Sequence, residues 1–238
     1  MGHIAVEVDG ARVAFTDRHG GVSAPPYDTA NLGFATGDDP AAVTENRRRI
    51  AAELGDADPA RWASARQVHG AGVVHVDAPG RGGDADALVT TATDLALVVL
   101  VADCAPVALV TGDAVAAVHA GWRGLVAGVV EAAVEAIHRC GSGHVRAVIG
   151  PCISAAHYEF GAAELDRVAD RLGPSVRGRT ADGAAALDVR AGVHAALARV
   201  DVEDRTDVDV CTYKSADHFS HRRDGVTGRQ ALLVARAP

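Results

Sequence analysis

Two histidines and a cysteine stand where apolar runs give way to Gly or Pro turns: Gln67-Val68-His69-Gly70, Ala102-Asp103-Cys104-Ala105-Pro106 and Val118-His119-Ala120-Gly121. Side chains at the ends of neighbouring strands can converge on one point. Two imidazoles and one thiolate suit zinc, and three protein ligands leave a fourth position for water or substrate, the pattern of a catalytic rather than a structural site. Each residue also has a plain reading, His69 as a hydrogen-bonded structural residue and Cys104 as an inert thiol closing the most apolar run of the chain. The spacings are not local, so three unrelated positions stand beside zinc ligation. His119, ahead of a Gly-Trp-Arg-Gly turn, has the strongest individual case.

Anion-binding groups surround these residues in the sequence. Arg123 and Gly124 precede a helix read from Leu125, whose first unpaired N–H groups attract anions; a tight turn with a solvated Arg123 is the plain alternative. Arg47, in Asn46-Arg47-Arg48-Arg49, and Arg222, in His221-Arg222-Arg223-Asp224, each belong to a run of cations whose members point in different directions. One Arg of each run is a candidate for a carboxylate or phosphate. Cys152, after Gly150-Pro151, lines the same cleft or serves as packing. Asp103 and Glu159 are the carboxylates placed to orient a ligand or move a proton, and a salt bridge explains either as well.

The elements that must position these residues follow from apolar periodicity. Short strands are expected over 4–8 and 13–16, a helix over 41–54 stopped by Gly55, and a turn-rich stretch over 79–86. The centre reads as strands over 95–101, 107–111 and 115–119, the last two joined by a hairpin turn at Thr111-Gly112-Asp113-Ala114. A helix over 125–140 ends at Gly141, and a buried strand over 145–149 leads to Gly150. Helices over 162–172 and 189–200, strands over 208–213 and 231–235, and a polar loop over 214–228 complete the chain. A mixed α/β fold (α+β), a sandwich of mixed sheets with helices packed outside in one domain over 1–238, is the economical architecture.

The 238 residues are 48% apolar, ample for a sizeable core, and 31 acidic against 23 basic residues give a net charge of -8. That balance argues against nucleic acid or an anionic membrane surface as partner. Lys214 is the single Lys, which reads as coding bias of a GC-rich genome. The first ten residues carry Glu7 and Asp9 and lack the basic segment and apolar run of a signal peptide, so a cytoplasmic location is expected. The apolar run from Leu95 to Ala102 is too short to span a bilayer. Cys104, Cys140, Cys152 and Cys211 lie far apart, as thiols or metal ligands rather than disulfides.

The chain resembles the laccase-domain, or polyphenol oxidase-like, purine nucleoside phosphorylase family over nearly its whole length. The resemblance rests on Asn31-Leu32-Gly33, Gly37-Asp38-Asp39, Asn46-Arg47, the three segments above, Asp84-Ala85-Asp86-Ala87-Leu88-Val89-Thr90, Ile149-Gly150-Pro151, Tyr158-Glu159, Cys211-Thr212 and Phe219-Ser220-His221-Arg222-Arg223-Asp224-Gly225 with Thr227-Gly228-Arg229. It implies a mixed α/β sandwich and a zinc held by His69, Cys104 and His119. It also implies phosphorolysis of purine nucleosides to base and ribose 1-phosphate, with adenosine deamination and methylthioadenosine cleavage beside it. Older family names imply copper-dependent phenol oxidation, for which one His-Cys-His set is too few ligands, although copper can occupy it. His221 departs from the family, which often carries Tyr there. Two rivals remain: a metal-free hydrolase with Cys104 as nucleophile and His119 as base, and a non-catalytic cell-division or envelope accessory protein. Monomer and homodimer both remain open.

Overall fold

The computed structural model describes residues 1–55, 58–141 and 143–237. Two six-stranded mixed sheets face each other. The first holds, in spatial order, β1 (His3–Val8), β2 (Ala11–Thr16), β14 (Gln230–Arg236), β7 (Ala96–Val101), β3 (Trp62–Arg66) and β5 (Gly80–Asp84). The second holds β13 (Arg205–Asp207), β10 (Arg146–Ile149), β8 (Ala105–Val110), β9 (Val115–Ala120), β6 (Ala87–Thr90) and β4 (Val73–His75). A small ribbon pairs β11 (Arg177–Arg179) with β12 (Ala185–Leu187).

Alternation along the strands divides the core into three layers. Val13, Phe15, Leu97, Val99, Leu232 and Val234 of the first sheet meet Leu88, Ala108, Val110, Val115, Ala117 and Val148 of the second. The intervening residues of the second sheet, among them Val89, Val107, Leu109 and Val118, lie under four helices. These are α2 (Trp122–Ala127), α3 (Val129–Cys140), α4 (Ala162–Leu172) and α5 (Val189–Ala198). On the far side, Ala96, Val98, Ala231 and Leu233 pack against Ile50 and Ala51 of α1 (Pro40–Glu53). Strands buried on both faces read as continuous apolar runs, and β7, β8, β9 and β14 do so. The short α6 (His221–Asp224) lies in the polar loop near the chain end.

Three local expectations need correction. The helix read over 125–140 is two helices, because Gly128 adopts φ 88, a left-handed conformation open to glycine, and ends α2 before α3 starts. Apolar spacing continues across that break, which hides it. The stretch over 79–86 contains β5, whose Gly-rich backbone pairs in parallel with β3 without apolar side chains. The strand read over 208–213 is replaced by β13 and a tight turn from Val208 to Val210, with one bridge between Cys152 and Cys211.

The topology explains where chemistry collects. β7, β3 and β5 run parallel, so their C-terminal ends share one edge of the sandwich. From that edge the chain crosses three times to the second sheet: β3 leads to β4, β5 to β6, and β7 to β8. β9 runs antiparallel to β6 and β8, with Val118 opposite Ala87 and His119 opposite Pro106, so its end meets the starts of both.

Candidate metal centre

His69 lies on the crossover after β3, Cys104 on the crossover after β7, and His119 at the end of β9. One donor atom from each residue falls within 4.8 Å of the others. Cys104 Sγ is 3.9 Å from His69 Nε2, and the two imidazoles meet edge to face with centroids 4.8 Å apart. His69 has φ 58, a left-handed conformation that a non-glycine residue holds at a cost of about 1–3 kcal/mol. Gly121 closes the floor: a Cβ there would come within 2.8 Å of His69 Cδ2 and 3.1 Å of Cys104 Sγ.

Two polar side chains fix the crossovers. Gln67 donates its amide to Leu100 O at 2.7 Å and accepts from Leu100 N at 2.8 Å, tying the end of β3 to β7. Asp86, fully buried between β5 and β6, accepts from the backbone N–H groups of Val68 (3.1 Å), His69 (2.9 Å) and Gly70 (2.7 Å). Its Oδ1 also lies 2.8 Å from His119 Nδ1. Burial works against the Asp86 charge, but the bonds from His119, Gly70 and Val68 outweigh it and hold the carboxyl below its ordinary range.

The thiol and imidazole influence each other strongly. Burial opposes ionisation of Cys104, yet the charges and hydrogen bonds of His119 and His69 win and bring it down to about 6. Burial likewise opposes the His119 cation, but the Cys104 thiolate and Asp86 raise it to about 9. A thiol already drawn toward thiolate is a metal donor with little proton to lose.

The three residues open into a cleft of about 610 Å³, within the range of small-molecule sites. Cations outnumber acids in its lining, with Arg66, Arg81, Arg123, Arg222 and Arg229 against Asp103 as the single acid among the described lining residues. Asp103 is committed elsewhere, accepting from Thr212 Oγ1 and Arg222 N, both at 2.7 Å. Arg66 pairs with Asp84, and Arg222 covers the Tyr158 ring and donates to Glu159 O. Arg123 lies over the Trp122 ring and, among the described residues, has no carboxylate in ion-pair range. It sits inside the first turn of α2, which starts at Trp122 rather than at Leu125. Burial raises the Tyr158 hydroxyl to about 12, so it faces the cleft protonated.

The structure separates the remaining expected site residues from the metal set. Arg47 lines an adjoining cavity of about 320 Å³, donates twice to Leu32 O and stacks on Phe34 and Trp62. That cavity shares Gln67, Arg81 and Leu100 with the main cleft. Cys152, 1% exposed, packs in the helix-covered core and does not line the cleft, because its side chain turns inward among apolar neighbours. Asp86, Gln67, Arg81 and Arg229 are site residues that sequence reasoning did not single out. Asp86 had one signal, a carboxylate inside the apolar-flanked Asp84-Ala85-Asp86-Ala87 segment, where burial calls for several donors.

A family model described as multi-copper polyphenol oxidoreductase laccase matches residues 12–237. The chain is 52% identical over 237 residues to purine nucleoside phosphorylase SCO2081 of Streptomyces coelicolor, covering 95% of this chain and 96% of that protein. It is 44% identical to purine nucleoside phosphorylase Rv2149c of Mycobacterium tuberculosis, with 98% and 94% covered. Among solved structures, Neisseria meningitidis protein NMB0706 superposes with a TM-score of 0.89 at 33% identity, 99% of each chain covered. YlmD from Geobacillus stearothermophilus does so with a TM-score of 0.87 at 30% identity, 96% and 93% covered. The sandwich, the cation-lined cleft and these full-length similarities agree, and the chain belongs to the laccase-like polyphenol oxidase family, in which its curated relatives are named purine nucleoside phosphorylases.

Proposed function

We propose that this chain is a zinc-dependent purine nucleoside phosphorylase, converting a purine nucleoside and phosphate to free base and ribose 1-phosphate. The observation that carries the proposal is the meeting of His69, Cys104 and His119 on the floor of a cationic cleft in a chain of net charge -8. The donor set fits the ion: two imidazole nitrogens and a thiolate suit zinc, and three protein ligands would leave a fourth position for water or substrate. His69, Cys104 and His119, with donor atoms within 4.8 Å of one another, are the residues that would hold it. Zinc held there supplies a Lewis acid and an acidified water.

The chain's own residues do the rest. Arg123, free of carboxylates among the described residues, and Arg81 and Arg222 at the cleft wall are the donors for phosphate. Bound phosphate attacks C1′ as the glycosidic bond breaks, and the purine departs as the neutral base, taking the proton that phosphate gives up on forming the ester. The Tyr158 hydroxyl, kept protonated by burial, donates to a ligand oxygen. Adenosine deamination and methylthioadenosine cleavage belong to the same proposal, because each presents a purine nucleoside to the same floor. Metal-defined protein reconstituted with zinc is expected to form hypoxanthine from inosine only when phosphate is present, and His119→Ala to abolish it. No turnover in the reconstituted protein, or equal turnover in His119→Ala, overturns the reading.

Two observations favour other readings. The family description names multi-copper oxidation, but the described residues contain one three-ligand cluster where such chemistry needs several copper sites. The low Cys104 thiol beside His119 suits a metal-free nucleophile. Elemental analysis of protein never exposed to a metal column separates the three: stoichiometric zinc, copper, or neither with a reactive thiol.

A further inference from the structure

We propose that Asp86 is the positioning residue for both imidazole ligands, setting the orientation of His119 and the placement of His69 through one carboxylate; the proposal rests on the metal-site reading above. Its two oxygens divide the work. Oδ1 faces His119 Nδ1 at 2.8 Å and accepts from His69 N at 2.9 Å. Oδ2 accepts from Val68 N at 3.1 Å and Gly70 N at 2.7 Å. The backbone closes the same knot, since His119 N donates to Asp86 O at 2.7 Å and Asp86 N donates to Gly72 O at 3.0 Å.

Three consequences follow from this geometry. A carboxylate oxygen at Nδ1 fixes the Nδ1–H form of His119, which leaves Nε2 as its metal donor. Three consecutive N–H groups converging on the carboxylate hold the crossover from β3 to β4 in the tight turn that gives His69 its left-handed conformation. Because the described groups facing Asp86 Oδ1 and Oδ2 are N–H donors, an acceptor at both oxygens satisfies the site. Asn in its place must turn its amide N–H₂ toward two donors, whichever way it lies. Asp86 touches neither the cleft nor a reacting atom, since it is fully buried behind both ligands.

The test compares metal-free wild-type protein with Asp86→Asn, using zinc alone as probe and competition with a chromophoric chelator as readout. The expected result is zinc binding weakened about 10–100-fold, the usual cost of losing a ligand's outer partner. The cobalt-substituted variant is expected to show a shifted visible band, because ligand orientation has changed. Binding within threefold of wild type with an unchanged cobalt spectrum overturns the proposal. If wild type itself binds no zinc, the metal-site reading fails instead. Should Asp86→Asn not fold, nitrogen-15 spectra of zinc-loaded wild type decide: a protonated Nδ1 on His119 supports the proposal, and a protonated Nε2 overturns it.

Discussion

Cys104 lies close enough for its charge to bear on Cys152, yet the fold gives the two thiols opposite chemistry. Cys104 sits on a crossover between the sheets, facing two imidazoles, and its thiol falls to about 6. Cys152 follows β10 into the helix-covered core, and burial pushes its thiol up to about 12. Residue type is identical, but Cys104 is half-buried at the cleft whereas Cys152 is buried. What differs is whether the facing groups outweigh burial: the charges and hydrogen bonds of His119 and His69 do so at Cys104, whereas at Cys152 burial wins over the Arg190 charge. The site edge is therefore where this sandwich gathers imidazoles around a thiol, while the helix-covered core keeps the same side chain neutral.

The comparison breaks most sharply by truncation. Cys104→Ala removes a proposed metal ligand and is expected to lower phosphorolysis by more than about 100-fold, the upper end for losing even a ligand's supporting partner. Cys152→Ala is expected to leave kcat/KM within about twofold and to cost about 1 kcal/mol of stability through a small cavity. Steady-state kinetics with inosine and thermal melts read both; equal activity losses would erase the distinction between the two sulfurs.

Alkylation sharpens it without mutation. In metal-free protein at pH 7.5, iodoacetamide is expected to modify Cys104 about 100-fold faster than Cys152, because only the thiolate attacks. The sign with pH follows from the lowered thiol: Cys104 stays thiolate above about 6 and loses reactivity as pH drops through that value. Peptide mapping across pH 5–8 that found both cysteines equally labelled would contradict the electrostatic account.

Two glycines give the smallest and most local contrast. A Cβ at Gly121 meets the ligand atoms of His69 and Cys104, whereas one at Gly150 meets the Phe15 ring at 2.2 Å in the core. Gly121→Ala is expected to weaken zinc about tenfold (about 1.4 kcal/mol) with little change in melting temperature. Gly150→Ala is expected to lower stability by about 1–3 kcal/mol through overpacking and to leave zinc affinity alone. Chelator competition and thermal melts on the two variants test the pair together.

The sequence made some of this legible and hid the rest for identifiable reasons. α4 begins and ends at the residues that periodicity assigns, and the hairpin at 111–114 joins β8 to β9 as its turn residues require. His69, Cys104 and His119 were visible because each interrupts an apolar run just before a turn. β3 to β6 were not read, since their pairing depends on backbone partners far away in sequence, and Gly80–Asp84 carries turn residues throughout. Asp86 was hidden for the same reason: its donors come from 16 to 18 residues upstream and from His119, 33 residues downstream. Local pattern reports burial and turns, whereas a carboxylate's partners are set by topology.

The most direct test is metal analysis joined to X-ray absorption at the zinc edge, on protein purified without a metal column. The account predicts one zinc per chain with two nitrogen donors, one sulfur and one further light atom, and loss of the sulfur signal in Cys104→Ala. Substoichiometric metal, or a full zinc site whose spectrum contains no sulfur, would contradict it.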